Sequence, residues 1–404
     1  MRLSFRRDVN SSIRRIAAKF NKQLLAMLMV LSTSTLVACG GHTNVPPSSA
    51  TNAQQVSDEA VQRGLAGAVF GSVRADTESI GQAGVLLKTS PERIKGNEYF
   101  LLASNTKSMT AMVAASLVES GKLRWDSRIV DVLPQLKANM QSAYQGVTLQ
   151  QLLSHKAGLP QMNKGEEYTP LWNYLRARGA LPVDPQSARA AYLPWLLAQT
   201  PIAQPGQRFL YSNAGYVVIA QMIEAAAGLP FETVFEQMVQ TKLGVTGRWF
   251  WSRPIAEPNL WGHWSDASRR LTPAAALLTD VNAVEQLMAT ASGGFSVTPQ
   301  GYTRWLRWHL LALQGQSTPL PASYVQRLKA MRDGDYDLGW ACTTANGSLI
   351  LTHQGAFVGF WSIAMIDQQG HHASFGLTNT FGDWVSPVMT SGATQLDALA
   401  RQLH

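Results

Sequence analysis

The stretch Leu102-Ala103-Ser104-Asn105-Thr106-Lys107-Ser108-Met109 decides the reading of this 404-residue chain. Ser104 is its only serine with a lysine three positions later. A serine hydroxyl is a weak nucleophile until a neighbouring base takes its proton. On a helix, positions i and i+3 share a face, one turn apart. A lysine buried beside polar groups loses its charge and can serve as that base. From Met109 to Val118 the apolar residues follow helical spacing, and Gly121 is the stop. They surround most of the helix, which predicts burial between layers. A serine heading such a helix is more than a surface cap.

The first 22 residues carry seven Lys or Arg against one acid, Asp8. An uncharged apolar run from Leu24 to Ala38 follows and leads into Cys39. Residues 1–38 therefore read as a secretory signal peptide, with an apolar part too short to span a bilayer. Leu36-Val37-Ala38-Cys39 resembles a bacterial lipobox, which implies a lipid on Cys39. Gly40 behind it resembles the pattern that permits sorting to the outer membrane. The expectation is a cell-envelope lipoprotein on the periplasmic face of the outer membrane. Residues 39–57, small, polar and proline-containing, read as a tether. Six of the eight net positive charges belong to the leader, so the basic balance is no argument for nucleic acid as a partner. With Cys39 acylated, Cys342 is the one thiol left, and no intramolecular disulfide can form. Stability must come from a core, which the 46% hydrophobic content can supply. Cys342 lies in an apolar run and reads as a small buried hydrophobe.

Leu65–Val73 and Ala83–Lys88 predict an early strand pair. From Trp125 to Met288 the pattern is mainly helical, including Ser187–Ala198, which Pro194 should kink or break, and Tyr216–Ala227. Strands return near the C-terminus, where Leu338–Thr344 and Ser348–Thr352 flank the hairpin signal Asn346-Gly347. Phe357–Ile366 and Ser374–Thr378 predict two more strands, and Val388–Leu403 a closing helix. The fold class is α+β: an α/β lobe with an antiparallel sheet flanked by helices, from about 58–124 and 290–404, and a mainly α-helical lobe from about 125–289. The site is expected in the cleft between them.

Two further triplets carry chemistry. Tyr211-Ser212-Asn213 is the only Tyr-x-Asn and precedes a helix expected to start near Gly215. A phenol can relay the serine's proton, and a carboxamide can hold a substrate carbonyl or accept from Lys107. His353-Gln354-Gly355 ends the strand after Asn346-Gly347. A glycine there admits a close backbone approach, and a neighbouring N–H can point into the cleft.

Together, Ser-x-x-Lys, Tyr-x-Asn about a hundred residues on and His-x-Gly near the C-terminus resemble the penicillin-recognising serine hydrolases. The nearest likeness is to the branch with class C β-lactamases, DD-carboxypeptidases, D-aminopeptidases and esterases. Leu152-Leu153-Ser154-His155-Lys156-Ala157-Gly158-Leu159-Pro160, Ser292-Gly293-Gly294, Leu338-Gly339-Trp340 and Leu377-Thr378-Asn379 are similar to landmarks of that branch. The resemblance implies a β-lactamase/transpeptidase-like fold over 58–404 and acylation of Ser104. It implies that Lys107 and Tyr211 handle the proton and that Asn213 holds the substrate amide. It implies an oxyanion between the N–H groups of Ser104 and Ala356, with His353 and Gly355 binding substrate. The implied partner is a small-molecule or peptide substrate, with no cofactor and no metal. His155 occupies a place where the family has a histidine that is not the base, and reads as loop-structuring. No Gly-x-Ser-x-Gly supports an α/β-hydrolase reading. His371-His372 is a lone pair expected to face solvent.

His-Gln-Gly stands where class C β-lactamases have Lys-Thr-Gly. A histidine is only partly charged near neutral pH, and the hydroxyl that helps hold a carboxylate is missing. The expected activity is therefore cleavage of an amide or ester, DD-peptidase/amidase-like or esterase-like. The alternatives are a β-lactamase and, in another class, a catalytically silent penicillin-binding or sensor lipoprotein.

Overall fold

The computed structural model describes residues 52–402, apart from 180, 253–259, 275–284 and 346. The signal peptide, Cys39 and the expected tether up to residue 51 lie outside the described residues.

The chain enters through helix α1 (Ala53–Gln62), strands β1 (Gly67–Val73) and β2 (Glu78–Gly84), and helix α2 (Thr106–Glu119). In the middle of the chain are α3 (Pro185–Ala198), α4 (Asn213–Ala227) and α5 (Pro299–Leu313). Strands β3 (Tyr336–Asp337), β4 (Trp340–Ala345), β5 (Ser348–Phe357), β6 (Phe360–Asp367) and β7 (Ala373–Thr378) follow, and α6 (Val385–Gln402) closes the chain. The seven strands form one sheet in the order β2-β1-β7-β6-β5-β4-β3, with each neighbouring pair antiparallel. All of β6 and β7 is buried. Helices α1 and α6 cover one face through Val56, Phe70, Ile363, Met389 and Leu396. The other face packs on α2 and α5 through Val69, Met109, Leu306 and Phe375. Every residue of α2 from Thr106 to Ala115 is buried, as its all-round apolar pattern predicts.

Several boundaries move. The expected tether to residue 57 is cut short, because α1 begins at Ala53. The Asn52 side chain caps it by accepting from Gln55 N, and Ala53, Val56 and Ala60 make one apolar face. Ser57 on the same face accepts from Phe70 N and donates to Gly81 O, locking α1 to the first hairpin. The second strand is Glu78–Gly84 rather than 83–88, because Arg74 N bonds Thr77 O and turns the chain early. That strand is a half-exposed edge with little apolar signal. Helix α3 runs unbroken through Pro194. Strand β5 continues past Thr352 to Phe357, which puts His353-Gln354-Gly355 inside it. His372 does not face solvent: it is buried, with Nε2 at 2.7 Å from Asp397 Oδ1. His371 is half-exposed and pairs with Asp367. Cys342 is buried and free.

The helical lobe is clamped by Arg189 of α3. Its guanidinium donates to Glu224 of α4 at 2.7 Å and to Glu232 at 2.7 Å; Arg189 and Glu224 are buried and Glu232 is partly buried. Removing the cation strands two carboxylates in the interior. Arg189→Met should cost about 3–5 kcal/mol of stability in urea unfolding. Asp131→Asn, which removes an exposed pair with Arg128, should leave the unfolding midpoint essentially unchanged.

Candidate active site

Ser104 sits in a tight 3₁₀ turn, Ala103–Asn105, directly before α2. Ala103 takes φ +46°, a conformation that strains a residue bearing a Cβ and that clusters at functional sites. The turn is pinned to the sheet by Ser362 of β6, whose Oγ donates to Leu102 O and accepts from Asn105 Nδ2 at 2.7 Å. Gly355 is paired with Ser362. A Cβ at Gly355 would come within 2.1 Å of Leu102 O and 2.8 Å of Ser104 N. Only glycine lets β5 lie this close to the turn. Pairing of β5 with β4 ends at Thr352, while pairing with β6 continues to Phe357. Beyond Thr352, β5 therefore has one edge without a partner strand, next to Ser104.

Lys107 is fully buried, and its Nζ lies 3.1 Å from Ser104 Oγ. It also donates to Asn213 Oδ1 at 2.7 Å and to Ser292 O at 2.8 Å. Burial holds its pKa well below the usual lysine range. A neutral amine has two N–H donors and one lone pair. The two carbonyl acceptors use the donors, and the lone pair is left for the Ser104 hydroxyl. Asn213 keeps its oxygen towards Lys107 because its Nδ2 donates to Met162 O at 3.2 Å. The Tyr211 ring lies beside the amine, 4.9 Å from Nζ to the ring centre. Burial raises the Tyr211 phenol and a hydrogen bond with Ser104 opposes this, so it stays protonated at neutral pH.

Asn213 is the first residue of α4, with Ser212 as its cap, two residues earlier than the sequence suggests. The loop 161–163 holds this triplet: Gln161 Nε2 and Asn163 Nδ2 both donate to Tyr211 O, at 3.0 and 2.8 Å. His155 accepts from Ser212 N at 3.1 Å through Nδ1 and packs 4.3 Å from the Tyr211 ring, centre to centre. It positions the backbone.

His353 is buried, and its Nε2 lies 3.0 Å from the Tyr336 hydroxyl. Burial pushes it down to about 3. It is a neutral ring, not the partly charged group expected. The Gln354 side chain points the other way, towards Ser386 and Thr390 of α6.

The structure thus brings Ser104, Tyr211, Asn213, His353, Gly355 and Ala356 to the wall of one cavity of about 270 Å³, with Lys107 behind Ser104. Sequence reasoning missed Tyr336, the loop 161–163, Ser362 and the cavity residue Glu285. Tyr336 adjoins the quoted Leu338-Gly339-Trp340, and that proximity was the available signal. The described residues hold no cluster of three potential metal ligands.

The Beta-lactamase family profile matches residues 50–395. The chain belongs to the β-lactamase family. It is 31% identical over 150 residues to the probable fimbrial assembly protein FimD, serogroup H1, of Dichelobacter nodosus, covering 36% of this chain and 34% of that protein. It is 25% identical over 211 residues to the D-alanyl-D-alanine-carboxypeptidase/endopeptidase AmpH of Escherichia coli K12, covering 52% and 48%. The chain thus matches half or less of these relatives' lengths. The structure of a D-stereospecific amidohydrolase from Streptomyces sp. superposes with a TM-score of 0.65 at 22% identity, over 84% of this chain and 97% of that one. It shares the β-lactamase/transpeptidase-like fold.

Three buried histidines give the stability a pH signature. His353 is pushed down to about 3 and His309 to about 4, and His155 is held well below the usual imidazole range, each chiefly by burial. Unfolded histidines take up protons near pH 6.5. Below that pH the unfolded state binds more protons, so stability falls as pH drops from about 6.5 towards 4. Each histidine contributes a slope of about 1.4 kcal/mol per pH unit. Urea unfolding of His353→Gln at pH 7, 6 and 5 should show the slope smaller by that amount. An unchanged slope would mean that the imidazole protonates in the folded protein.

Proposed function

We propose that the protein is a serine hydrolase of the cell envelope that forms an acyl-enzyme on Ser104 and cleaves an amide or an ester. The Lys107 amine carries this reading: it is uncharged, both its N–H groups are engaged, and its remaining contact is the Ser104 hydroxyl. The Ser104 proton passes to the Lys107 lone pair as Oγ attacks the substrate carbonyl. The oxyanion is held by the N–H groups of Ser104 and Ala356, and each such donor is worth about 2.7–4 kcal/mol in the transition state. Asn213 holds the substrate amide beside Lys107. Tyr211, a neutral phenol, hands a proton to the leaving group as the tetrahedral centre collapses. Lys107 then returns the serine's proton to Tyr211 and is a neutral amine again; water attacks the acyl ester, losing its proton to Lys107, which passes it to Ser104 Oγ as the acid product leaves.

Amide and ester substrates are favoured over β-lactams. A β-lactam's carboxylate needs a cation near the third motif, and here His353 is neutral and Gln354 is tied to α6. The names of AmpH and of the Streptomyces amidohydrolase, a peptidase and an amide hydrolase, support the same class. The engaged Lys107 argues against a catalytically silent binding protein.

A fluorophosphonate should add to the protein at one site, seen by mass spectrometry, and Ser104→Ala should abolish the adduct. Absence of an adduct in folded wild-type protein would sink the reading. Lys107→Met should slow acylation by about 10²–10⁴-fold. Because burial lowers the Lys107 pKa, the wild-type rate should reach its plateau well below about pH 10, the range in which an ordinary lysine loses its proton. Localisation rests on the sequence alone: we propose a lipid on Cys39 as the membrane anchor. Cys39→Ala should move the protein from the membrane to the soluble envelope fraction, and an unchanged distribution would refute the anchor.

A further inference from the structure

Glu285 lines the same cavity as Ser104, and no sequence motif accounts for it. It lies on a helical turn over 285–288, and its carbonyl accepts from Ala289 N at 2.8 Å. Positions i and i+4 share a helix face, and Ala289 also lines the cavity. Three residues further on is Ser292, whose carbonyl holds Lys107. The same segment therefore supplies one acceptor to the catalytic amine and one carboxyl to the space in front of it.

Among the described residues that carboxyl has no counterion. Among the described residues lining the cavity it is the only acid, and no ion pair or hydrogen bond engages its oxygens. The other side chains there include Met162, Tyr168, Phe209, Phe357 and Trp361. The nearby Tyr168 hydroxyl is committed to Met162 O at 3.0 Å. Burial raises the Glu285 carboxyl to about 7, as expected for an acid in an apolar wall without a cationic partner. An isolated carboxylate in such a place is costly unless something pairs with it. A cationic group on the ligand would supply the missing charge, whereas an anionic group would be repelled.

We infer that Glu285 selects substrates that carry a protonated amine, holding the ammonium while the scissile amide or ester lies at Ser104. For turnover this rests on the hydrolase reading above; for binding it does not. Lys164, the lysine on the cavity wall, carries the opposite preference, so its charge cannot produce the same result.

The test uses Ser104→Ala protein, which cannot turn the ligand over, and isothermal titration calorimetry with D- and L-leucine amide and their N-acetyl forms. At least one free amine should bind about 10- to 100-fold tighter than its acetylated form. Glu285→Gln in the same background should erase that ratio, and Glu285→Asp should keep part of it. Equal affinities, no binding of either form, or a ratio that survives Glu285→Gln would overturn the inference. If Glu285→Gln fails to fold, loss of the whole ratio in Glu285→Asp together with a changed ratio in Lys164→Gln would overturn it as well. The two readings fail separately: an absent fluorophosphonate adduct with the amine preference intact removes only the hydrolase, and an intact adduct without the preference removes only the role of Glu285.

Discussion

The Lys107 amine sits where three separately folded segments meet. Helix α2 brings it, the first residue of α4 faces it with a carboxamide, and the segment around Ser292 faces it with a backbone carbonyl. Its charge state follows from that crowding, because full burial without an acid partner removes the reason to keep a proton. The rest of the site is built to keep the three segments in register. Ser362 and Gly355 press the Ser104 turn onto the sheet. Gln161 and Asn163 hold the backbone of Tyr211. A Cβ on Gly339, which has φ +79°, would lie 2.4 Å from Ser108 N, so the chain entering β4 fits against the first turn of α2 only as glycine. The arrangement is preorganised: the side chains of Asn213, Ser362, Gln161 and Asn163 are each tied to a backbone carbonyl.

What was legible in the sequence was local. Ser104–Lys107 and Tyr211–Asn213 announce themselves because their chemistry needs those residue types at fixed short spacings. The helices and strands were legible because their periods differ, and because the hairpin at Gly347 carries its own turn signal. What was not legible depends on contacts made at long range. His353 looks like a titrating group until Tyr336, from another strand, and the packing that buries the ring are placed around it. Gln354 looks like a substitute for a ligand-binding hydroxyl until strand alternation turns it towards α6. The start of α1 was hidden by a polar composition whose apolar positions are two alanines and two valines. Glu285 gave no signal, because an acid on a helix is ordinarily a solvated one.

The outer sheet joins the two ends of the chain. Strand β1 pairs with β7 throughout its length, and the Thr378 hydroxyl bonds Gly67 O across 311 positions of sequence. The β1–β2 hairpin has no other strand neighbour, and a lone hairpin is only marginally stable in water. Closing a loop that long is also the slowest kind of contact to form. The sheet that supports Ser104 is therefore completed late, after β7 has been synthesised. The Ser104 turn lies in the first third of the chain, and its two sheet contacts, Gly355 and Ser362, lie near the end. The turn therefore takes its final shape only when strands made near the end of the chain are in place.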